Sequence, residues 1–399
     1  MHGSFDHATI LVLLVCSRFL QQQENIPERR HIPEQIVLEI LSRLPVQYLL
    51  QFRCVCKVWK SLISDPKFTL SAQKHHLAIK GRYLYSISLS RRRYPRVRPL
   101  LIYDDESASE RLKILGSCNG LFLVIHYTDF YLWNPSIRQS AIVLSLRTDE
   151  WPKDFSLDAC AYPSGLCYDS FTDDYKAVMA NELGEVTVVS FKRKLWATTT
   201  LHFVDKGNGY ISLPGPNVNG KLHWAIAKFG NNHVTSFNPL TDEFEELPMP
   251  LLPNNGEGEP VINGLGVLDG CLCMARCVTR ESGAEDVGPG FFELLVMKEY
   301  GVGDSWTRIL NVSKDFTSLS LGTLVPLCFT SEGEIVISVA HLDKLCAYNL
   351  EDKSEREISV PCEGPITYQT SYTESLVSPE AYGHEEDWIV EAPDFLKRE

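Results

Sequence analysis

Three sets of residues in this 399-residue chain have types and spacings that could do chemistry. The adjacent carboxylates Asp173-Asp174 and Glu245-Glu246 raise acid–base catalysis, in which two carboxyl groups converge on one scissile bond. Neighbours along a strand project from opposite faces, so neither pair can converge. The segment FTDDYK reads instead as a turn in which aspartate caps backbone amides. His223, within KLHWA, has the ring of a general base but no partner motif, and reads as a packed or hydrogen-bonded strand residue. Cys271, Cys273 and Cys277 offer thiols to zinc, yet no second pair stands at zinc-site spacing. Strand alternation places Cys271 and Cys273 on one face as packing residues. No Gly-x-Ser-x-Gly elbow, phosphate-binding loop or His-Glu-x-x-His motif occurs. The expectation is no catalytic residue, no cofactor and no metal: a chain that binds and does not transform.

Bulk properties point the same way. Lysine and arginine number 38 against 51 aspartates and glutamates, a net charge of -13. A field of that sign repels phosphate backbones, so no nucleic-acid partner is expected. The run RRRYPRVR at 91–98, arginines around one tyrosine, has the look of a nucleic-acid contact but reads as a solvated loop. Twelve cysteines lie in apolar surroundings such as FRCVCKVW and GCLCMA, too sparse for a disulfide scaffold. A reducing location, cytoplasmic and/or nuclear, is expected. The apolar run ATILVLLVC at 8–16 has no Lys or Arg before it and a poor cleavage site after it, so it is read as no targeting signal. Nine residues also fall short of the roughly 20 needed to span a bilayer, and no membrane partner is expected.

The elements that would carry a binding surface emerge from periodicity. From His31 to His76 the spacing predicts three helices. Pro33 suits a first helical turn and Glu34 complements the helix N-terminus. Ile36, Ile40 and Leu44 form one stripe, with Val37 and Leu41 beside it, until Pro45 ends the helix. A second helix from Val46 to about Arg53 presents Leu49, Leu50 and Phe52. A third carries Val55, Cys56, Trp59, Leu62 and Ile63, and Ser64-Asp65-Pro66 stops it. A unit this short buries too little surface to enclose so many large side chains. The surplus marks a partner interface or a dock on the rest of the chain.

Ile32-Pro33, then IVLEILSRLPVQYLLQFRCVCKVWKSLI, then SDPKF, closely resembles the F-box, the adaptor-binding module of Skp–cullin–F-box ubiquitin ligases. Ile32 departs from the leucine more usual there, a swap a hydrophobic contact tolerates. The resemblance implies that Pro33, Ile36, Ile40, Leu41, Leu44, Pro45, Val55, Cys56 and Trp59 meet a Skp-type adaptor, and through it a cullin, or organise the face that does.

Beyond His76 helical spacing gives way to short β-branched and aromatic runs punctuated by Gly, Asn, Asp and Pro, the texture of antiparallel sheet. A loose two-part unit recurs. Its first part is a turn glycine before a strand: Asn119-Gly120, Asn219-Gly220, Asp269-Gly270 and Glu332-Gly333. Its second is an aromatic, then Asn, then a polar turn: Trp133-Asn134-Pro135, Phe237-Asn238-Pro239 and Tyr348-Asn349-Leu350. Two more units fit without the asparagine, so that the anchors Trp133, Phe191, Phe237, Met297 and Tyr348 stand 58, 46, 60 and 51 residues apart. A period near 50 with four short strands per unit predicts a kelch-like β-propeller of about six to eight blades; a β-sandwich is the alternative.

The segments GSCNGLFLV, WNPSIRQ, GLCYDSFTDDYKAV, LGVLDGCLC, VMKEYGVGDSWTRI, PLCFTSEGEI and YTESLVSP, in that order, resemble the F-box-associated domain of plant F-box proteins, S-locus F-box proteins among them. The resemblance gives Trp133, Tyr168, Asp174, Tyr175, Lys176 and Trp306 structural roles. The fold expected is α+β and multidomain. An extension (1–30) precedes the helical F-box (31–76), and a connecting segment with the basic loop (77–111) leads to the β-repeat domain (112–377). An acidic tail (378–399), read as solvated, ends the chain. The run 77–89 is strand-like and would matter if it closed the ring. The function implied is that of a ligase subunit holding an adaptor by its helices and an unidentified target protein by its β domain; the alternative is an interaction scaffold outside a ligase.

Overall fold

The computed structural model describes residues 33–64 except 43 and 45, Phe68, and 75–383 except 82, 89–95, 102–111, 146–162, 182–183, 201–214, 227–231, 251–259, 281–287, 314–323, 331, 340–343 and 361–367. The apolar run 8–16, Pro45 and the tail beyond Gly383 lie outside the described residues. The chain divides into two compact units, Met1–Lys74 and His75–Glu399.

The first unit holds α1 (Glu34–Ser42), α2 (Val46–Phe52) and α3 (Lys57–Ser64). Leu41, Leu44, Val46, Leu49, Phe52, Trp59, Ile63 and Phe68 form its buried core. Phe52 meets Trp59 edge-on at 5.4 Å, the favoured geometry for two aromatic quadrupoles. Val55 and Cys56, expected on the third helix, fall in the turn before it. The N–H groups of Cys54 and Val55 close back on Gln51 and Phe52 at 3.1 Å, which stops α2. Cys56 then caps α3, its Sγ accepting from the Trp59 N–H at 3.4 Å, the role a serine or aspartate usually fills.

The second unit is a ring of six four-stranded antiparallel sheets. Blade 2 contains β4 (Leu112–Cys118), β5 (Leu121–His126), β6 (Asp129–Asn134) and β7 (Gln139–Ser145). Blade 3 contains β8 (Ser164–Asp169), β9 (Asp174–Ala180), β10 (Glu185–Ser190) and β11 (Leu195–Thr200). Blade 4 contains β12 (Asn217–Val218), β13 (Lys221–Ile226), β14 (His233–Asn238) and β15 (Glu243–Leu247). Blade 5 contains β16 (Val261–Leu268), β17 (Cys271–Arg280), β18 (Gly288–Met297) and β19 (Trp306–Ser313). Blade 6 contains β20 (Leu324–Phe329), β21 (Glu334–Val339), β22 (Lys344–Asn349) and β23 (Glu355–Ile358). Blade 1 is composite: β1 (His75–Lys80), β2 (Leu84–Ser88) and β3 (Arg96–Leu101) are completed on the inside by β24 (Tyr368–Thr373).

That composite blade corrects the reading of 77–111 as a connection. Its strands are blade 1, and β24 pairs with β1 from His75↔Thr373 to Lys80↔Tyr368. Arg96 and Arg98 of the supposed loop lie on β3, paired with Ser88 and Ser86. The sheet is hard to see locally because its inner strand comes from the other end of the domain.

Each blade hides its faces against two neighbours, so apolar clusters sit at all six interfaces. Leu112, Ile114 and Phe122 pack with Ala78 and Leu84 between blades 2 and 1. Leu77, Ile79 and Ile87 pack with Leu327 and Val336 between blades 1 and 6, which closes the circle. The five anchors are buried at the ends of third strands, Trp133 at 2% and Phe237 at 0% exposure. Asn119 and Gly120 have φ of 50° and 78°, and Asn219-Gly220 and Asp269-Gly270 repeat the pattern, the two-residue hairpin that Asn-Gly favours. Asn134 and Asn238 accept from the N–H two residues on, at 2.9 and 3.1 Å, and so turn the chain toward the outer strand. Near the axis, Gly264 and Gly266 let β16 approach β20: a Cβ there would collide with the Leu324 oxygen and with that of Pro326.

The acidic tail also starts later than expected. Asn134 Nδ2 donates to the Val377 carbonyl at 2.8 Å, and Ser378 Oγ to Gln139 Oε1 at 3.1 Å. Tyr382, 7% exposed, stands edge-on to Tyr175 at 4.9 Å. Residues 378–383 thus belong to the ring.

Candidate partner-binding surfaces

In the helical unit the nine residues singled out separate into two groups. Leu41, Leu44 and Trp59 are 0%, 7% and 3% exposed and form the core. Ile36 is 48% exposed, Pro33 is exposed, and Ile40, Val55 and Cys56 are partly so. The first group organises a face and the second is available on the surface. Val58, 57% exposed on α3, is not among the nine. Its signal in the sequence is its position one residue from Trp59, which on a helix turns it about 100° away from the buried side.

The ring offers a different surface. Inner strands of five blades surround an axial cavity of about 490 Å³ lined by Asn119, Asn217, Asn219, His223, Asp269 and Tyr372 among others. Among the described residues neither Lys nor Arg lines it. Asn217 closes the blade 3 side, its Nδ2 donating to the Leu166 carbonyl at 2.6 Å and the Ser117 carbonyl at 3.1 Å.

The groups capable of chemistry are held quiet. His223 is fully buried, with Nε2 2.8 Å from the Tyr300 hydroxyl and Nδ1 3.3 Å from the Pro216 carbonyl. Nδ1–H donating to Pro216 leaves Nε2 to accept from Tyr300. Burial pushes its pKa down to about 4, so it is neutral at physiological pH. Burial pushes the thiols of Cys118 and Cys328, both in the cavity wall, up to about 12, which denies them thiolate character. Cys271, Cys273 and Cys277 all face the apolar cluster between blades 5 and 6.

The carboxylate pair at 173–174 splits because Asp173 ends the turn, with φ of 53°, and Asp174 opens β9. Asp173 is exposed and accepts from Tyr168 at 2.7 Å and Lys192 at 2.8 Å. Asp174 is buried and accepts from the Lys192 N–H at 2.8 Å and from the Ser190 hydroxyl. Lys176 is a staple between blades, its Nζ reaching Asp169 at 3.2 Å, Asp242 at 2.6 Å and the Pro239 carbonyl at 2.6 Å. Trp306 Nε1 donates to the Pro248 carbonyl at 2.9 Å, again between blades.

Comparison with known proteins places both units. Residues 30–71 match the F-box domain family and residues 76–379 the F-box associated beta propeller domain. An F-box/kelch-repeat protein of Arabidopsis thaliana is 31% identical over 309 residues, 71% of this chain and 79% of its own length. The F-box protein CPR1 of the same plant is 29% identical over 366 residues, 81% of this chain and 83% of its own length. Among solved structures, a nidogen/laminin complex aligns at a TM-score of 0.43 and 12% identity, covering 76% of this chain and 100% of that one. The propeller family alone spans about three quarters of the sequence, from the start of β1 to six residues past the end of β24. This chain belongs to the F-box proteins that carry an F-box-associated β-propeller.

Proposed function

We propose that this protein is the substrate-recognition subunit of a Skp–cullin–F-box ubiquitin ligase. Proteins with this pair of domains are in general substrate adaptors of such ligases, and no catalytic family is indicated for them. The observation that carries the reading is a set of apolar side chains left exposed or half-buried in the helical unit, Ile36 and Val58 with Ile40, Val55 and Cys56, in a segment that matches the F-box. Burying such side chains in a Skp-type adaptor supplies affinity, and the cullin joins through that adaptor. The propeller holds a target protein on its turns and connections, and the assembly raises the target's concentration near a charged ubiquitin carrier. A cytoplasmic or nuclear location belongs to the same proposal, and the apolar packing of Cys271, Cys273, Cys277 and Cys346 supports it.

The test is co-purification. The full chain is expected to bring down a Skp-type adaptor and a cullin, and Ile36→Asp/Val58→Asp is expected to lose both while keeping its circular dichroism. An unchanged yield of adaptor with that variant would overturn the assignment. A chain that retains adaptor but no cullin would favour a scaffold outside the ligase.

A further inference from the structure

The axial cavity opens at a defined end of the ring. The turns Asn119-Gly120, 170–173, Asn219-Gly220 and Asp269-Gly270 each join a first strand to a second, and first strands of a propeller all run the same way. These turns therefore stand at one end, and Asn119, Asn219 and Asp269 line the cavity there. From Asp269 to Leu265 the β16 wall is about 13 Å long, deep enough for an extended side chain.

The wall favours a donor, and a positively charged one. Pro216 and Pro326, both in the wall, have a carbonyl but no N–H to offer. Asp269 is exposed and, among the described residues, takes part in no ion pair. Its charge is felt inside: burial first, and then the Asp269 carboxylate, push up the Cys328 thiol across the same cavity. The lysines nearest these turns are already engaged by other acids. Lys176 is held by Asp169 and Asp242, Lys192 by Asp173 at 2.8 Å, and Lys221 by Glu245 at 2.5 Å. The mouth thus has a carboxylate and acceptors without a cation to answer them.

An apolar anchor stands between the turns of blades 2 and 4. Phe171, on the turn of blade 3, is 91% exposed. Its backbone is fixed, because the Phe171 and Thr172 N–H groups both donate to Asp169 Oδ1, at 2.9 and 3.2 Å. A rigid turn that presents an aromatic face to solvent offers packing area and attraction for a cation.

We propose that this mouth takes a basic segment of the target protein, with one Lys or Arg side chain entering the axial cavity against Asp269 and a neighbouring side chain on Phe171. The proposal rests on the reading of the chain as a target-holding subunit and adds the chemistry of the target. A phosphorylated or acidic segment does not fit, since such segments are held by arginine clusters and no described Arg lines the cavity.

The probe is a fluorescent peptide of alternating arginine and glycine, with a glutamate–glycine peptide as its counterpart, titrated with the full chain at about 0.15 M salt. Binding of the first and not the second is expected. Asp269→Asn keeps the turn, because Asn-Gly makes the same hairpin at 119 and 219. It is expected to weaken binding at least about tenfold, and Phe171→Ala about threefold. Glu246→Gln removes the same charge from an exposed position on outer strand β15 and is expected to change binding less than about twofold. Equal losses in Asp269→Asn and Glu246→Gln would mean attraction by net charge alone and overturn the proposal. No binding, or preference for the glutamate peptide, overturns it as well. Adaptor co-purification, read on the same proteins, is expected to be unchanged by all three substitutions. A parent that captures no adaptor would refute the ligase reading, while the peptide titration still decides the chemistry of the mouth.

Discussion

Trp59 in the helical unit and Trp133 in the ring are almost equally buried, at 3% and 2% exposure, but what surrounds them differs. Around Trp133 the burial continues: Phe122, Tyr131 and Tyr372 in the same cluster are each 3% exposed or less. Trp59 packs on Phe52, 9% exposed, but Val58 next in the chain is 57% exposed, and Ile36 in the same unit is 48% exposed. The ring meets its apolar demand internally because each blade face has a neighbour. Three short helices cover less, and Val58 and Ile36 stay exposed. A buried tryptophan therefore reports on stability in both units, and only in the first does an exposed apolar side chain stand next to it in the chain.

Four perturbations would break or sharpen that contrast. The largest effect is expected from Gly266→Val, because the obstacle is the Pro326 carbonyl, backbone that cannot swing aside as a side chain can. A loss of about 4 kcal/mol or more is expected, read as absence of a cooperative propeller transition with the helical signal retained. A melting curve like that of the parent would show that β16 and β20 separate easily.

Next comes Trp59→Ala, which leaves a cavity in a small core and costs about 3–5 kcal/mol. It should unfold the helical unit, so that adaptor binding and helical dichroism disappear together while the propeller melts as before. Third, Ile36→Ala should keep the dichroism and weaken adaptor binding by about tenfold, near 1.4 kcal/mol. If Trp59→Ala stayed folded and merely bound more weakly, the division into organising and contacting residues would be wrong.

The smallest effect concerns acid. The Arg356 guanidinium, bonded to Glu334 at 2.8 and 2.5 Å, holds that carboxyl below its usual range. A carboxylate whose pKa is lowered on folding stabilises above the unfolded value and loses that contribution as pH falls through the folded one. The ring should therefore lose stability as the pH drops from about 5 to 3, and Arg356→Met should remove part of that slope. With Arg356 43% exposed, water limits the contribution to about 1 kcal/mol or less. A parent-minus-variant difference in melting temperature that does not shrink toward pH 3 would rule this pair out as a source of acid sensitivity.

Much of this is readable in sequence wherever the signal is local. Asn-Gly pairs mark hairpins because few other residues accept two successive positive φ angles. The aromatic-Asn motif marks third strands because the aromatic fills a blade interface while the asparagine turns the chain. Burial in and just past α1 is less legible: Ile36 and Leu44 stand on one stripe by spacing, yet Leu44 lies beyond the helix end at Ser42 and is 7% exposed, whereas Ile36 is 48% exposed. Periodicity identifies a stripe and cannot tell which part of it three short helices manage to cover. Blade 1 hides for a different reason. Its strands 75–101 are short, and the strand that makes them an inner, packed sheet lies at 368–373. Tyr382 escapes detection because an acidic surrounding disguises a side chain that fills the contact between blades 2 and 3.

The pairing of His75 with Thr373 also sets a clock for synthesis. β1 is made early, and its partner β24 leaves the ribosome only after 298 further residues have been added. At about 5–20 residues per second, blade 1 waits on the order of 15–60 s with one edge open. The helical unit, with its three short helices between Glu34 and Ser64, can fold within the first moments of that wait. A nascent chain thus carries a finished F-box long before its ring can close. Any message truncated ahead of residue 368 would release a folded F-box with a ring that lacks the inner strand of blade 1.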